Sequence, residues 1–317
     1  MKIVIAEPIG LTPLLFSDFQ HQLHERAHQV VAFDTIPNNE EELLNRIREA
    51  EIVVVSNYPI SGEIIKQCSN LKLISVAFTG IDHIDTQACR IRGIQICNAA
   101  GYSTVAVSEL TLGLIIDATR KITELHTNTL ASGTRNGFLG SELAGKTIGI
   151  VGTGAIGTRL AQILLSLGCH VLAFSRTKKK SIENLGVRYT DLNSLLMESD
   201  IVSLHLPHTA ETDMMFDESC FAKMKKSSYF INTARGKVVD SNALANALKN
   251  GKIAGAAVDI YEYEPPIQQE HPLISCPNIV LTPHIAYATK EAIDKRSKIV
   301  VDNVISWLDG NPKNICI

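Results

Sequence analysis

Thr147-Ile148-Gly149-Ile150-Val151-Gly152-Thr153-Gly154-Ala155-Ile156-Gly157 runs an apolar, β-branched segment directly into a Gly-x-Gly-x-x-Gly turn. Apolar residues then recur at helical spacing, at Ile156, Leu160, Ile163, Leu164 and Leu167, and a second β-rich run follows at 169–174. In that context the three glycines have separate tasks. Gly152 permits a tight turn, Gly154 lets backbone amides approach a pyrophosphate, and Gly157 lets the helix pack closely on its strand. The helix N-terminus adds partial positive charge for the phosphates. The stretch predicts a dinucleotide-binding strand, turn and helix.

The segment after the second strand bears on which dinucleotide. An acidic residue there hydrogen-bonds the ribose hydroxyls of NAD. This chain reads Phe174-Ser175-Arg176-Thr177-Lys178-Lys179-Lys180, with no carboxylate. Ser175 and Thr177 can hydrogen-bond a 2′-phosphate, and Arg176 can pair with it as a planar fork or stack on adenine. The three lysines read equally well as a solvated loop. The segment favours NADP over NAD.

With 317 residues the chain is long enough for two domains, and 45% hydrophobic and 20% charged residues describe an ordinary globular protein. A net charge of −3 argues against a general nucleic-acid binder. The N-terminus enters a strand without a signal-peptide layout, and charges interrupt every apolar run short of a membrane span. Seven cysteines are scattered without a CxxC, which points to no disulfide framework, no zinc site and a cytoplasmic location.

Before the glycine turn, β-rich runs at 2–6, 29–33, 51–56, 72–76 and 93–97 alternate with helical patterns such as 40–49 and 61–68. After it, β-rich runs fall at 169–174, 186–189, 200–204, 228–232, 253–259 and 278–282. Alternation at this spacing implies parallel pairing, hence two doubly wound α/β units joined near 98–101 and 282–284. Longer helical patterns at 103–123 and 291–308 bracket the second unit. The later one can return to cover the first. The expected domains are therefore a discontinuous 1–100 with 288–317, around a dinucleotide-binding 101–287.

Ligands of open parallel sheets bind beyond the carboxyl ends of the strands. Three polar segments lie there: Asn232-Thr233-Ala234-Arg235-Gly236, Asp259-Ile260-Tyr261-Glu262-Tyr263-Glu264-Pro265-Pro266, and Thr282-Pro283-His284-Ile285-Ala286. Singly, each has an ordinary structural explanation, such as a helix cap for Arg235 or a proline turn for Glu264. Together they suit reduction of a 2-keto acid. Arg235 can hold the carboxylate and polarise the keto oxygen. His284 can deliver a proton to the forming alkoxide. Glu264 can hydrogen-bond the other imidazole nitrogen, fixing the tautomer.

With these motifs, together with His205-Leu206-Pro207 and Ala256–Pro266, the chain resembles the D-isomer-specific 2-hydroxyacid dehydrogenase family along essentially its whole length. The resemblance implies a flavodoxin-like substrate domain and a Rossmann dinucleotide-binding domain with a cleft between them. It implies a catalytic trio of Arg235, Glu264 and His284. It places Ala155 and Ile156 at the pyrophosphate, Leu206 and Pro207 beside the adenosine, and Thr212 further along that wall. Thr233, Ala234 and Arg235 would border the nicotinamide, Asp259 would meet its carboxamide, and Ala286 would lie among the cofactor contacts. The family is typically dimeric through the helix beginning near Ser103.

In the first domain, Phe78-Thr79-Gly80 matches the family loop whose backbone amides grip the substrate carboxylate, and glycine there lets the backbone come close. Tyr102 falls where D-lactate dehydrogenases of the family place a pocket tyrosine, and Tyr58 is a candidate pocket wall. Two departures stand out: Ser175 replaces the acidic residue, and the segment 132–142 is short and lacks the family's tryptophan. The implied activity is NAD(P)-dependent interconversion of a small 2-keto acid, such as pyruvate, glyoxylate or hydroxypyruvate, with its D-hydroxy acid. Glutamate at 264 weighs against formate dehydrogenase chemistry, since those relatives carry glutamine there. Gly101-Tyr102-Ser103 does not resemble the corresponding loop of the phosphoglycerate branch. The alternative is a dinucleotide-sensing scaffold like the family's corepressor relatives; the lack of appended interaction segments favours the enzyme.

Overall fold

The computed structural model describes residues 1–263 and 266–317. It forms two compact units, Met1–Ser103 with Ala288–Ile317, and Thr104–Tyr287.

The first unit holds strands β1 (Lys2–Ile5), β2 (Gln29–Ala32), β3 (Ile52–Val55), β4 (Leu73–Val76) and β5 (Gln95–Asn98). They form one all-parallel sheet in the order β2-β1-β3-β4-β5. Ile52-Val53-Val54-Val55 is buried at every position, as β-branched residues are in a strand covered on both faces. Helix Glu40–Ile47 starts where Asn39 caps the Glu42 N–H at 2.9 Å, with three glutamates in its first turn facing the helix dipole. The helix Lys290–Leu308, capped by Thr289, belongs to this unit. Its Ser297 hydroxyl donates to the Gly10 carbonyl at 3.0 Å, and its Trp307 indole donates to Gln95 Oε1 at 2.6 Å. The last residues then run beside β5, where Cys316 N–H donates to the Ile96 carbonyl and Asn98 N–H to that of Asn314. That pairing shields a sheet edge, and no periodicity announces it.

The second unit holds β6 (Thr147–Val151), β7 (His170–Phe174), β8 (Arg188–Tyr189), β9 (Ile201–Leu204), β10 (Tyr229–Asn232), β11 (Gly255–Val258) and β12 (Ile279–Leu281). Its sheet is again parallel, ordered β12-β11-β10-β9-β6-β7-β8. The order reverses between β6 and β9, which puts the glycine turn at the switch point. Phe216, Phe221 and Phe230 anchor the core on one face, with the Phe221 and Phe230 rings edge to face at 5.1 Å.

Two helical expectations need correction. The pattern at 103–123 is two helices, Thr104–Arg120 and Ile122–Leu130, separated by Lys121 in the left-handed region at φ 52°. Asp117 causes the break by accepting the Thr123 N–H at 2.9 Å, so it caps the second helix rather than extending the first. The apolar stripe of the helix Ala155–Ser166 ends at Leu164, and Leu167 is its C-cap, 43% exposed.

Candidate functional site

The glycine turn has the geometry its spacing implies. Gly152 sits at φ 100°, and a Cβ there would lie 2.5 Å from the His205 carbonyl oxygen. A Cβ on Gly157 would lie 2.1 Å from the Gly152 carbonyl oxygen. Both glycines are thus demanded by the protein's own backbone. Gly154 differs, because nothing lies within 4 Å of where its Cβ would be. It is the N-cap of helix Ala155–Ser166, with no side chain capping the first-turn amides and no acid in that turn. Open space, unclaimed N–H groups and the positive end of a helix dipole suit a pyrophosphate.

Beside the turn is a cavity of about 410 Å³. Of the cofactor residues expected from sequence, Gly152, Gly154, Ser175, Arg176, Thr177, Leu206, Pro207 and Thr212 line it. Ala155, Ile156, Gly157, Thr233, Ala234, Asp259 and Ala286 do not. Thr212 shapes the wall, its hydroxyl donating to the Pro207 carbonyl at 2.8 Å and accepting from the Thr209 N–H at 2.8 Å. At the mouth, the Arg176 guanidinium pairs with Glu211 at 3.1 Å, both side chains well exposed. Lys179, read from sequence as part of a solvated loop, also lines the cavity, as do Thr209, Glu211, Met215 and His205, to which sequence reasoning gave no role. Of the last group, only His205 carried a signal, as the first residue of the His-Leu-Pro motif. Its ring, 2.9 Å from the Ser203 hydroxyl, reaches the cavity wall but is packed densely enough that burial lowers its pKa to about 4.

The three polar segments follow β10, β11 and β12, adjacent strands of one sheet. Arg235 and His284 each lie three residues past the paired strand ends Asn232 and Leu281. With one strand between them, those ends are about 10 Å apart at the usual strand spacing. The turn that carries Arg235 is shaped by Asn232, whose side chain accepts the Ala234 N–H and donates to the Arg235 carbonyl, both at 3.0 Å. Thr233 is buried and shares a hydrogen bond with Thr111 at 2.9 Å. Gly236 is needed for packing, since a Cβ there would lie 1.9 Å from the Tyr261 carbonyl carbon.

The His284 segment is braced by Asp259, which is 1% exposed. Its carboxylate accepts from the Thr282 hydroxyl at 2.6 Å and from the N–H groups of Ile285 and Ala286, both at 2.9 Å. The Tyr261 hydroxyl adds a bond to the Thr282 carbonyl at 3.0 Å, and burial, reinforced by the Asp259 charge, pushes its pKa to about 12. His284 itself is left-handed at φ 56°, its ring edge to face with Tyr287 at 5.2 Å. Glu264, the third member of the expected trio, lies outside the described residues. Nearby, Glu262 bonds both the Ser241 hydroxyl and His271 Nε2, which holds its carboxyl below the usual range despite burial.

In the first unit, Phe78 and Tyr102 are buried and meet edge to face at 6.0 Å, while Thr79 is exposed and Gly80 partly so. The Thr79 carbonyl accepts from Asn98 Nδ2 at 2.7 Å. Arg296, which sequence reasoning did not single out, places its guanidinium 4.8 Å from the Phe78 ring centroid. Tyr58 is half-buried, its N–H bonded to Glu7.

Residues 112–286 match the family described as D-isomer specific 2-hydroxyacid dehydrogenase, NAD binding domain. The chain belongs to the D-isomer-specific 2-hydroxyacid dehydrogenases. This dehydrogenase is 42% identical to a glyoxylate reductase of Thermofilum pendens, over 86% of this chain and 83% of the relative. It is 35% identical to a D-3-phosphoglycerate dehydrogenase of Archaeoglobus fulgidus, over 98% of this chain but 58% of that longer protein. Among solved structures, an acyclic imino acid reductase (Bsp5) in complex with NADPH and D-Arg matches with a TM-score of 0.90 at 31% identity, over 100% of both chains. As a member, the dehydrogenase is an oxidoreductase acting on CH–OH donors with a nicotinamide dinucleotide, and its substrates are small 2-hydroxy or 2-keto acids. Among the described residues no helix is long and apolar enough to cross a membrane.

Proposed function

We propose that the enzyme reduces a small 2-keto acid, such as glyoxylate, hydroxypyruvate or pyruvate, to the D-2-hydroxy acid, with NADPH preferred over NADH. The observation that carries this reading is the placement of Arg235 and His284 past β10 and β12, at the sheet edge that also bears the glycine turn. When bound, the nicotinamide supplies hydride to the carbonyl carbon. Arg235, permanently charged and forked, holds the substrate carboxylate and polarises the keto oxygen. His284 donates a proton to the forming alkoxide, and Glu264 steadies its imidazole. Phe78, Thr79 and Gly80 receive the carboxylate in the first unit, with Tyr58 and Tyr102 as pocket walls. Ala155 and Ile156 contact the pyrophosphate, while Thr233, Ala234, Asp259 and Ala286 border the nicotinamide half.

Support for NADPH comes from Ser175, Arg176 and Thr177 lining the cavity with no carboxylate among them. A homodimer is proposed through the segment after Ser103; helix Ile122–Leu130 buries no residue, and Leu130 and Leu139 are 75% and 81% exposed. A second reading, reduction of a 2-imino acid, is favoured by the likeness to the imino acid reductase. Steady-state turnover of purified protein with NADPH and NADH, across 2-keto acids with and without ammonia, tests these readings. Turnover of none of them, with dinucleotide still bound, would favour the sensing scaffold.

A further inference from the structure

The groups proposed to receive the 2′-phosphate sit on a loop. Phe174 ends β7 and a short helix, Lys180–Glu183, follows, so Ser175, Arg176, Thr177 and Lys179, all lining the cavity, belong to the connection 175–179. A loop bearing long cations loses freedom when a phosphate binds, and that loss weakens binding unless the loop is held beforehand. The Arg176 pair with Glu211 holds it poorly, because both side chains are well exposed.

Tyr189 supplies the hold. β8 is only Arg188–Tyr189 and lies at the outer edge of the sheet, with Tyr189 paired beside Ala173 of β7. Its ring is half-buried against the core cluster that includes Ala173 and Ile182. The phenol oxygen accepts the Lys179 N–H at 3.1 Å and shares a hydrogen bond with the Thr153 hydroxyl at 2.9 Å. Thr153 follows β6, on the far side of β7, so one phenol joins the basic loop to the glycine turn. Thr153 is 2% exposed and lines the cavity; Tyr189 does not line it.

The turn has other supports. The Gly152 N–H donates to the Phe174 carbonyl at 2.8 Å, and the Thr158 hydroxyl donates to the Thr153 carbonyl at 3.2 Å. What Tyr189 adds is the position of the loop relative to the turn. We infer that Tyr189 is a positioning residue for the 2′-phosphate, its hydroxyl fixing the 175–179 loop against the glycine turn that takes the pyrophosphate. The inference rests on the proposed preference for NADPH. NADH lacks the 2′-phosphate and gains much less from an ordered loop.

The test measures dissociation constants for NADPH and NADH by fluorescence titration, and reads their ratio. Tyr189→Phe keeps the ring and removes both bonds; it is expected to shrink the preference for NADPH about fivefold. Thr153→Val removes the shared bond from its other end, is expected to act in the same direction, and carries the test if Tyr189→Phe fails to fold. In the double variant it should add nothing to Tyr189→Phe, because the bond it removes is already gone. A wild-type ratio in a variant whose melting temperature is native overturns the inference, since a merely structural tyrosine would leave the ratio unmoved. So do additive losses in the double variant. A wild-type enzyme that binds NADH as tightly as NADPH is a different result: it removes the proposed cofactor preference, and the role of Tyr189 with it.

Discussion

Asp259 accepts the His284 backbone N–H on its own carbonyl at 2.8 Å, while its carboxylate holds the next two N–H groups. A histidine at φ 56° is strained relative to the right-handed region and persists only where its surroundings over-determine it. Asp259→Ala leaves three donors without their acceptor, the Ala286 N–H buried and the Thr282 hydroxyl and Ile285 N–H partly so. It is expected to cost about 3 kcal/mol or more of stability and to lower kcat more than it raises KM. A denaturant midpoint and turnover equal to wild type would show that Asp259 does not position His284.

His284→Ala removes the proposed proton donor and is expected to lower turnover roughly 10²–10⁴-fold. Dinucleotide affinity, read by fluorescence titration, should be largely retained, because the turn at Gly152–Gly157 is untouched. Unchanged turnover would take His284 out of the reaction.

Arg176 and Glu211 face each other at the mouth of the cavity. Glu211 competes with a 2′-phosphate for the guanidinium, so Arg176→Ala should weaken NADPH binding far more than NADH binding. Glu211→Gln should tighten NADPH alone, and only by about fivefold or less, since an exposed ion pair is worth roughly 0–1 kcal/mol. Equal effects on both dinucleotides would mean that the basic loop ignores the phosphate.

His205 carries a pH prediction with a definite sign. Its folded pKa is lowered to about 4 from an ordinary 6.5, so the unfolded chain takes up a proton that the native state refuses. The stabilisation is complete above pH 6.5 and is lost as pH falls towards 4, a change of up to about 3 kcal/mol. Urea denaturation between pH 7 and 4 should therefore show a steeper loss for wild type than for His205→Gln. Parallel curves would reject this.

Much of this architecture is written in local sequence. Valine and isoleucine runs at β3 and β6 announced strands, and their alternation with helical patterns announced parallel sheets. The glycine turn needed only its own spacing, because Gly152 and Gly157 answer to backbone within the same few elements or to the adjacent strand end. The segments bearing Arg235 and His284 were legible for a related reason: topology sends every parallel strand end to one edge. The break at Lys121 was not legible, because it depends on which donor the Asp117 carboxylate chooses, and a helical pattern continues straight through it.

What the amino-acid order determined by itself was the class of fold, the dinucleotide turn and the edge of the sheet where chemistry belongs, since all three follow from periodicity and from residue types a few positions apart. What only the tertiary structure decided was which carboxylate holds which amide: Glu7 on Ser56 and Tyr58, 49 and 51 positions away, and Asp259 on Ile285 and Ala286, 26 and 27 positions away. Such bonds join residues that share no period and no motif, and the sheet brings them within reach only once its strands have paired.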